Sequence, residues 1–298
     1  MRSHLRSIDS LQRRNWIVKN LFVLASFVLT IVPGCTWAQA ATPQPQEESF
    51  LSEWLQQSSR AAATQPQWIA PMFTVTGRLL QQFRYDIGWQ TQGNATTTNY
   101  GTGRGLELIP AKHTEVLISA PPYVTHDSPR LRDGFGDMVF LFKYRVAAGT
   151  EHQGNYVVTA FLSTTLPTGT YSNGGTHASF SPTLALGKGW GNFDIQSTAG
   201  VTLPTGGIDV LGTPIGLNAT AQYRILGRLW PEMEVNSTFW ENGRNAGKKQ
   251  VLLSPGLVVG RLLLWKRLGF AIGTGVQIAA TSFHTYNHNW VLSVRFPF

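Results

Sequence analysis

Twelve short segments with alternating apolar and polar residues follow one another from Leu79 to Phe298, separated by turns rich in Gly, Asn, Pro and Lys. Alternation with a period of two predicts β-strands, because successive side chains of a strand point to opposite faces. Strands of about 9–11 residues and an even strand number are typical of bacterial transmembrane barrels. The pattern therefore predicts an all-β fold, an antiparallel closed transmembrane β-barrel of about 12 strands over residues 75–298. The predicted strands are 79–89, 100–109, 115–124, 136–146, 156–166, 178–187, 193–203, 215–225, 231–240, 251–261, 268–280 and 288–298.

The last segment predicts how such a barrel would be assembled. Trp290, Leu292, Val294, Phe296 and Phe298 occupy alternate positions, and phenylalanine is the final residue. The final strand of an outer-membrane barrel closes the ring, with one face towards lipid and the other towards the lumen. We therefore expect these five residues to be the assembly signal that the barrel-insertion machinery recognises. An edge strand of a soluble β-sandwich would explain the alternation, but not the terminal phenylalanine.

The connections between the predicted strands alternate in length. Short periplasmic turns and longer outer loops are expected of outer-membrane barrels. The tight connections are 110–114, 187–192, 226–230 and 262–267, and the looser ones are 126–133, 168–177, 205–213 and 241–248.

Residues 1–40 have the pattern of a cleaved export signal peptide. A basic stretch precedes the apolar run 21–32, and residues 38–40 provide an A-x-A cleavage site. Cleavage there would remove Cys35, the one cysteine in the sequence, which excludes disulfides and thiolate metal sites from the mature chain. The residues around Cys35 also loosely resemble a lipoprotein box, which would make Cys35 the first mature residue instead.

Charge and hydropathy exclude two further classes of protein. The chain has 24 basic and 16 acidic residues, but five of the basic residues and one acidic residue belong to the predicted signal peptide. The remaining 19 basic and 15 acidic residues give a balance of only +4, so nucleic-acid binding has no support. After the signal there is no apolar run of about 20 residues, so the sequence predicts no membrane-spanning helix.

Residues 41–74 form a leader rich in proline and glutamine before the barrel. This composition favours a disordered periplasmic segment. The short amphipathic stretch 50–55 leaves open the alternative of a small plug or docking helix.

A strand in the middle of the chain resembles a known family. Residues 133–145 contain Gly-Phe-Gly-Asp followed by Lys-Tyr-Arg, which resembles a strand of the outer-membrane barrels named for the MetA-pathway of phenol degradation. Residues 81–86, 165–169, 181–182 and 191–193 are similar to that family as well. The resemblance implies a twelve-stranded barrel that passes hydrophobic or aromatic compounds. It identifies no binding residues, because the shared motifs mark strand structure.

The polar positions of the predicted strands indicate which side chains face the lumen. A charge on the lipid face at the bilayer midplane costs about 2–4 kcal/mol, so charged residues should point inwards. These residues would form either a charged constriction that filters solutes or a paired network that fills a narrow lumen. The predicted lumen-lining residues are Gln82, Arg84, Asp86, Glu107, Glu115, Asp137, Lys143, Arg145, Asp194, Gln196, Gln222, Arg224, Glu232, Glu234 and Arg295.

No catalytic, cofactor or metal site emerges from the sequence. His126, His177, His284 and His288 lie in the predicted outer loops, and residues 171–177 contain the residue types of a Ser–His hydrolase, but such residues are common in any polar loop. No group of His, Asp and Glu has metal-ligand spacing.

The most consistent interpretation is a passive outer-membrane channel for small, hydrophobic or aromatic molecules, in the bacterial outer membrane. Its expected partners are the solute, outer-membrane lipid and lipopolysaccharide, whose phosphates basic residues of the outer loops could contact. The alternatives are an outer-membrane barrel hydrolase that acts on lipid at the outer rim, and a structural barrel with a closed lumen.

Overall fold

The computed structural model of the protein describes residues 45–298, so the predicted signal peptide and Cys35 lie outside the described residues. Helix α1 spans Pro45–Ala63, helix α2 spans Ile208–Leu211, and a 3₁₀ turn spans Glu151–Gln153. No helix among the described residues is long and apolar enough to cross a membrane. The strand segments are β1 (Gln82–Gln92), β2 (Ala95–Gly101), β3 (Gly105–Ala111), β4 (Thr114–Ser119), β5 (Tyr123–His126), β6 (Gly134–Phe135), β7 (Met138–Gly149), β8 (Tyr156–Leu166), β9 (Ser179–Trp190), β10 (Phe193–Val201), β11 (Leu203–Pro204), β12 (Pro214–Tyr223), β13 (Leu229–Trp240), β14 (Lys249–Trp265), β15 (Leu268–Ala279) and β16 (His288–Pro297).

The strand segments form one closed antiparallel sheet. Four of the barrel strands are interrupted, and each of these is formed by two segments: β2 with β3, β4 with β5, β6 with β7, and β10 with β11. The sixteen segments therefore make twelve barrel strands. The last strand pairs with the first, with Arg84 opposite Arg295 and Trp89 opposite Trp290. Closure leaves no strand edge unpaired, which is the condition for a sheet to exist in lipid. The predicted twelve-stranded antiparallel barrel is confirmed.

The two ends of the barrel differ in the length of their connections. The turn end carries turns 112–113, 191–192 and 266–267, and the helix α1. The loop end carries loops 127–133, 167–178, 205–213, 241–248 and 280–287. The alternation expected from the sequence is therefore present, except that β1 and β2 at the loop end are joined by only two residues, 93–94.

Three adjacent barrel strands are interrupted around Pro122, which lies inside the wall. Pro121 and Pro122 separate β4 from β5, since proline has no N–H to donate to a neighbouring strand. A Cβ on Gly136 would lie 2.9 Å from the Pro122 ring, and one on Gly101 would lie 3.3 Å from its Cα. The two glycines thus allow neighbouring strands to approach the proline closely.

The barrel buries polar residues and exposes apolar ones, the reverse of a soluble protein. In β13, Met233 is 48% exposed while Glu234 is fully buried, and in β10 the exposed Ile195 precedes the buried Gln196. Apolar side chains stay on an outer surface only where that surface meets something other than water. The outward face is therefore suited to lipid.

The described part of the N-terminal leader is a mostly exposed helix followed by a buried segment, which differs from the disordered leader expected from the sequence. Helix α1 runs to Ala63, and the chain then passes into the lumen until β1 begins at Gln82. A polar composition favours disorder when a segment has nothing to pack against. Here the barrel interior surrounds it, and residues such as Gln65, Met72 and Thr76 are buried. The alternative of a plug or docking helix describes this arrangement.

Candidate functional site

Residues 64–81, called here the luminal segment, form a loop inside the barrel. The side chain of Gln65 closes the loop, because its Nε2 donates to the Leu79 carbonyl at 2.7 Å and its Oε1 accepts from the Leu79 amide at 2.9 Å. The segment therefore enters and leaves at the same end, the turn end, where β1 begins. Its tip, Phe73 and Thr74, contacts β13 halfway along that strand.

Two glutamates of β13 hold the tip of the luminal segment through its backbone amides. Glu232 accepts from the Met72 amide at 2.9 Å. Glu234 accepts from the amides of Phe73 at 2.8 Å and Thr74 at 2.6 Å. Both carboxylates are buried, and a hydrogen bond to a charged group is worth about 1.5–3 kcal/mol. The pair therefore anchors the tip against the barrel wall.

Two arginines on neighbouring strands hold the same stretch through its carbonyls. Arg84 donates to the carbonyls of Pro71 at 3.1 Å and Met72 at 2.6 Å, and Arg295 donates to those of Ala70 and Pro71. Because the two arginines lie opposite each other in register, they converge on one point of the segment. Pairing of the last strand with the first brings the two arginines together, but nothing in the sequence indicates that they bind another segment of the chain.

Charge pairing within the wall orients two of these anchoring groups. Arg84 pairs with Asp86 at 2.7 Å, and Arg104 lies 3.7 Å from the same carboxylate. Lys143 pairs with Glu115 at 2.8 Å. In water such pairs stabilise little, but Arg84, Asp86, Lys143 and Glu115 are almost fully buried, and each would be costly to bury alone.

The Lys143–Glu115 pair also contacts the return half of the luminal segment. Lys143 donates to the Arg78 carbonyl at 3.3 Å, and Glu115 accepts from the Leu80 amide at 2.5 Å. Thr159 donates to the Gly77 carbonyl at 2.5 Å. The two halves of the loop are thus bound to opposite arcs of the wall.

Helix α1 packs against the turn end of the barrel. The Trp54 indole donates to the Ile109 carbonyl at 2.8 Å, and Arg267 donates to the Leu55 carbonyl at 2.9 Å. Arg145 donates to the Ala61 carbonyl at 2.7 Å, in the last turn of the helix. The Arg145 guanidinium interacts favourably with the negative end of the helix dipole, and it provides a hydrogen bond to a carbonyl that has no partner within the helix.

The lumen beyond the tip is lined by uncharged amides and hydroxyls. Asn236 accepts from Ser254 at 2.9 Å and from Gln277 at 3.2 Å, and its amide donates to Asn218 at 3.2 Å. The Tyr286 hydroxyl, from the 280–287 loop, donates to Gln277 at 2.8 Å, and burial raises the pKa of that hydroxyl above its ordinary value. The lumen therefore has a charged half that holds the segment and a neutral half above it.

Thirteen of the fifteen predicted lumen residues are buried in the barrel, and the other two lie at its ends. Asp137 precedes β7 and accepts from the amides of Gly169 and Gly175 at 2.9 and 2.7 Å at the loop end, and Arg224 follows β12 and pairs with Glu151 at 3.3 Å at the turn end. Both lie just outside a strand, because β7 begins at Met138 and β12 ends at Tyr223. The buried ones are Gln82, Arg84, Asp86, Glu107, Glu115, Lys143, Arg145, Asp194, Gln196, Gln222, Glu232, Glu234 and Arg295.

Sequence reasoning missed the uncharged lumen and the residues of the loop itself. Asn236 lies at an alternate position after Glu232 and Glu234 on β13, and Gln277 lies at an inward position of β15. The period of two could therefore have identified both residues as facing the lumen. Arg78 and Gln65 lie in a segment with no strand pattern, and nothing in the sequence marked them.

Among residues 45–298, no group of three or more His, Cys, Asp and Glu side chains could hold a metal ion. His126 contacts the Thr97 hydroxyl at 3.1 Å and Asn173 at 2.7 Å, and His284 contacts the Thr281 carbonyl at 2.9 Å. Over the same residues, none of the four loop-end histidines is hydrogen-bonded to a serine.

Comparison with known proteins agrees with the resemblance and the fold. The model of the family described as "Putative MetA-pathway of phenol degradation" matches residues 118–209, which confirms the resemblance. An outer membrane channel from Pseudomonas putida F1 superposes with a TM-score of 0.51 at 11% identity, over 77% of this chain and 98% of that one. The NanC porin reaches a TM-score of 0.49 at 10% identity, over 72% and 98%. No curated protein matches the sequence. At such identities the solved structures establish the fold alone.

Proposed function

We propose that the protein is a passive outer-membrane channel for small hydrophobic or aromatic molecules, and that residues 64–81 are its plug. The observation that carries the proposal is the luminal segment, a loop that fills the charged half of the lumen and is attached to the wall through hydrogen bonds. The family match and the barrel shared with a solved outer membrane channel support it. The structure then corresponds to the closed state.

The contacts that hold the luminal segment set the free-energy cost of displacing it. An apolar core resists opening, because exposing its side chains to water costs free energy. Hydrogen bonds between backbone and charged side chains exchange for hydrogen bonds to water, so losing each one costs about 1.5–3 kcal/mol net. Trp68, Ile69 and Met72 of the loop also belong to one buried apolar cluster with Trp230 and Val258 of the wall, so displacement of the loop exposes apolar surface as well.

The competing function is that of a structural barrel whose lumen is permanently filled. The same luminal segment favours it, because narrow barrels need their interior filled. The two functions differ in one property, which is whether the segment moves.

A disulfide that locks the segment distinguishes the two. A Cβ on Gly77 would lie 3.4 Å from the Cβ of Ala185, close to the 3.5–4.5 Å that a disulfide needs. We expect the Gly77→Cys/Ala185→Cys variant, in a Cys35→Ala background, to fold and to block both conductance in planar bilayers and uptake of 1-naphthol by intact cells when oxidised. Reduction should restore both to the level of the single-cysteine controls.

Two outcomes would contradict the proposal. If the oxidised and reduced forms conduct and take up 1-naphthol equally, displacement of the luminal segment is not part of transport. If neither the wild type nor the reduced variant conducts or takes up the solute, the structural barrel is the better account.

A further inference from the structure

A cavity of about 320 Å³ lies at the turn end, between helix α1, the luminal segment and strands β14–β16. Four arginines line it: Arg78, Arg261, Arg267 and Arg295. Arg78 and Arg295 are 3% and 2% exposed and form its inner wall, whereas Arg261 and Arg267 are exposed at its mouth. Positive charge therefore continues from solvent to the bottom of the cavity.

These four arginines have no ion-pair partner among the described residues. The ion pairs of the described barrel involve Arg84, Arg104, Lys143 and Arg224 instead. Asp194 and Glu115 attract Arg78 electrostatically, and Asp86 and Glu232 attract Arg295, but none of these acids forms an ion pair with either arginine. The four guanidinium groups contact neutral oxygens and sulfur of the protein, as Arg261 does with Gln67 at 3.0 Å. A buried cation without a counterion is costly, so the cavity favours an anion.

Unused donors next to the cavity add to this preference. Arg78 donates to the Trp68 carbonyl, but its Nε has no hydrogen-bond partner, and Nε2 of Gln81 has none either. Both residues line the cavity, and both unpartnered atoms are buried. A guanidinium offers donors in a planar fork that fits a carboxylate at two points.

The rest of the lining is partly polar, through Ser58, Ser59, Gln67, Gln81 and Gln82, and partly apolar. Ile69, Leu79, Leu80 and Pro297 face the same space as the arginines. Ligand pockets start at about 300 Å³, and an apolar wall beside a few polar groups is their usual composition. We propose that this cavity binds a small organic carboxylate, with the carboxylate on the arginines and the hydrocarbon part against the apolar wall. The inference goes beyond the proposed channel, because a neutral apolar solute needs no arginine, and binding is measurable without transport.

The test measures binding of benzoate, benzyl alcohol and inorganic phosphate to the purified full chain in detergent by isothermal titration calorimetry. We expect benzoate to bind at least about tenfold more tightly than benzyl alcohol, because benzyl alcohol lacks the carboxylate and so loses at least one charge-assisted hydrogen bond to the arginines. Phosphate should bind more weakly than benzoate, because it has no apolar part. Raising the salt concentration should weaken benzoate binding, mostly through the exposed arginines.

Two variants and a matched control locate the site. Arg78→Gln keeps a donor for the Trp68 carbonyl but removes the charge at the inner wall of the cavity. Arg267→Gln removes a charge at the cavity mouth, in an exposed turn, and therefore tests the site even if Arg78→Gln does not fold. Each should weaken benzoate binding about tenfold or more. Arg224→Gln, at the same end but paired with Glu151 outside the cavity, should leave it within about twofold. Equal binding of benzoate and benzyl alcohol, or of phosphate and benzoate, or unchanged binding by both variants, would overturn the proposal.

Discussion

Removing the Glu234 carboxylate should release the tip of the luminal segment while leaving the barrel intact. Glu234 is fully buried and accepts from the Phe73 and Thr74 amides at 2.8 and 2.6 Å. The barrel itself is held by hydrogen bonds between strand backbones, in which the side chain takes no part. Glu234→Ala therefore perturbs the contact between segment and wall directly.

The size of the effect follows from the two hydrogen bonds. Each is charge-assisted and worth about 1.5–3 kcal/mol, so their loss weakens docking of the tip by roughly 3–6 kcal/mol. Water that fills the space left by the carboxylate restores part of this, so the lower figure is the better guide. At 1.4 kcal/mol per factor of ten, about 3 kcal/mol raises the population of the undocked segment about a hundredfold.

Single-channel recording and cysteine labelling measure this change independently. We expect Glu234→Ala to open far more often than the wild type in planar bilayers. In a Cys35→Ala background, Thr74→Cys should react slowly with a membrane-impermeant maleimide, because Thr74 is buried, and about a hundredfold faster once Glu234 is replaced. Glu241→Gln, an exposed carboxylate of the 241–248 loop, is the control and should behave as the wild type.

The reasoning would be refuted by a particular combination of results. If Glu234→Ala folds, yet its opening frequency and the labelling rate of Thr74→Cys equal those of the control, the two hydrogen bonds do not hold the segment. If Glu234→Ala does not fold, the labelling rate of the reduced Gly77→Cys/Ala185→Cys variant measures the mobility of the luminal segment instead. Slow labelling of that variant would contradict the proposal that the segment is a displaceable plug.

Two further predictions concern the arginine pair and the barrel. Arg84→Ala/Arg295→Ala should raise conductance or shift ion preference without unfolding, because both side chains bind the luminal segment rather than the strand backbone; unchanged currents in planar bilayers would count against it. The purified protein should migrate differently in gels with and without boiling, and deletion of Phe298 should reduce the folded, fast-migrating form more than deletion of Gln46; identical migration in all cases would exclude a closed barrel.

The strands could be predicted because their signal is local. Lipid on one face and lumen on the other impose a period of two on every strand, so the pattern survives even where β4 and β5 are interrupted at Pro121 and Pro122. Burial follows from phase, and residues such as Asp194 and Gln222 are buried. Strand ends are less well determined by the pattern, and Asp137 and Arg224 both lie just beyond one.

The luminal segment could not be predicted, for a physical reason. Its hydrogen bonds to the charged residues of the wall are made mostly by its backbone amides and carbonyls, which every residue has, so its side chains carry little trace of those bonds. The partners are also distant in sequence: Met72 and Glu232 are 160 residues apart. A run such as Thr74–Gly77 therefore resembles any polar linker, although the barrel wall surrounds it.

If residues 64–81 are a plug as proposed, the two interpretations of the charged residues, a filter and a filling network, describe two states of one set of side chains. With the luminal segment docked, Arg84, Arg295 and Glu234 bind its backbone and form the filling network. With the segment displaced, the same groups would face water in the charged half of the lumen and act on any solute that passes. Ion preference should therefore appear only in open events, and the neutral half around Asn236, which binds the segment only at Thr74, should contribute little to it.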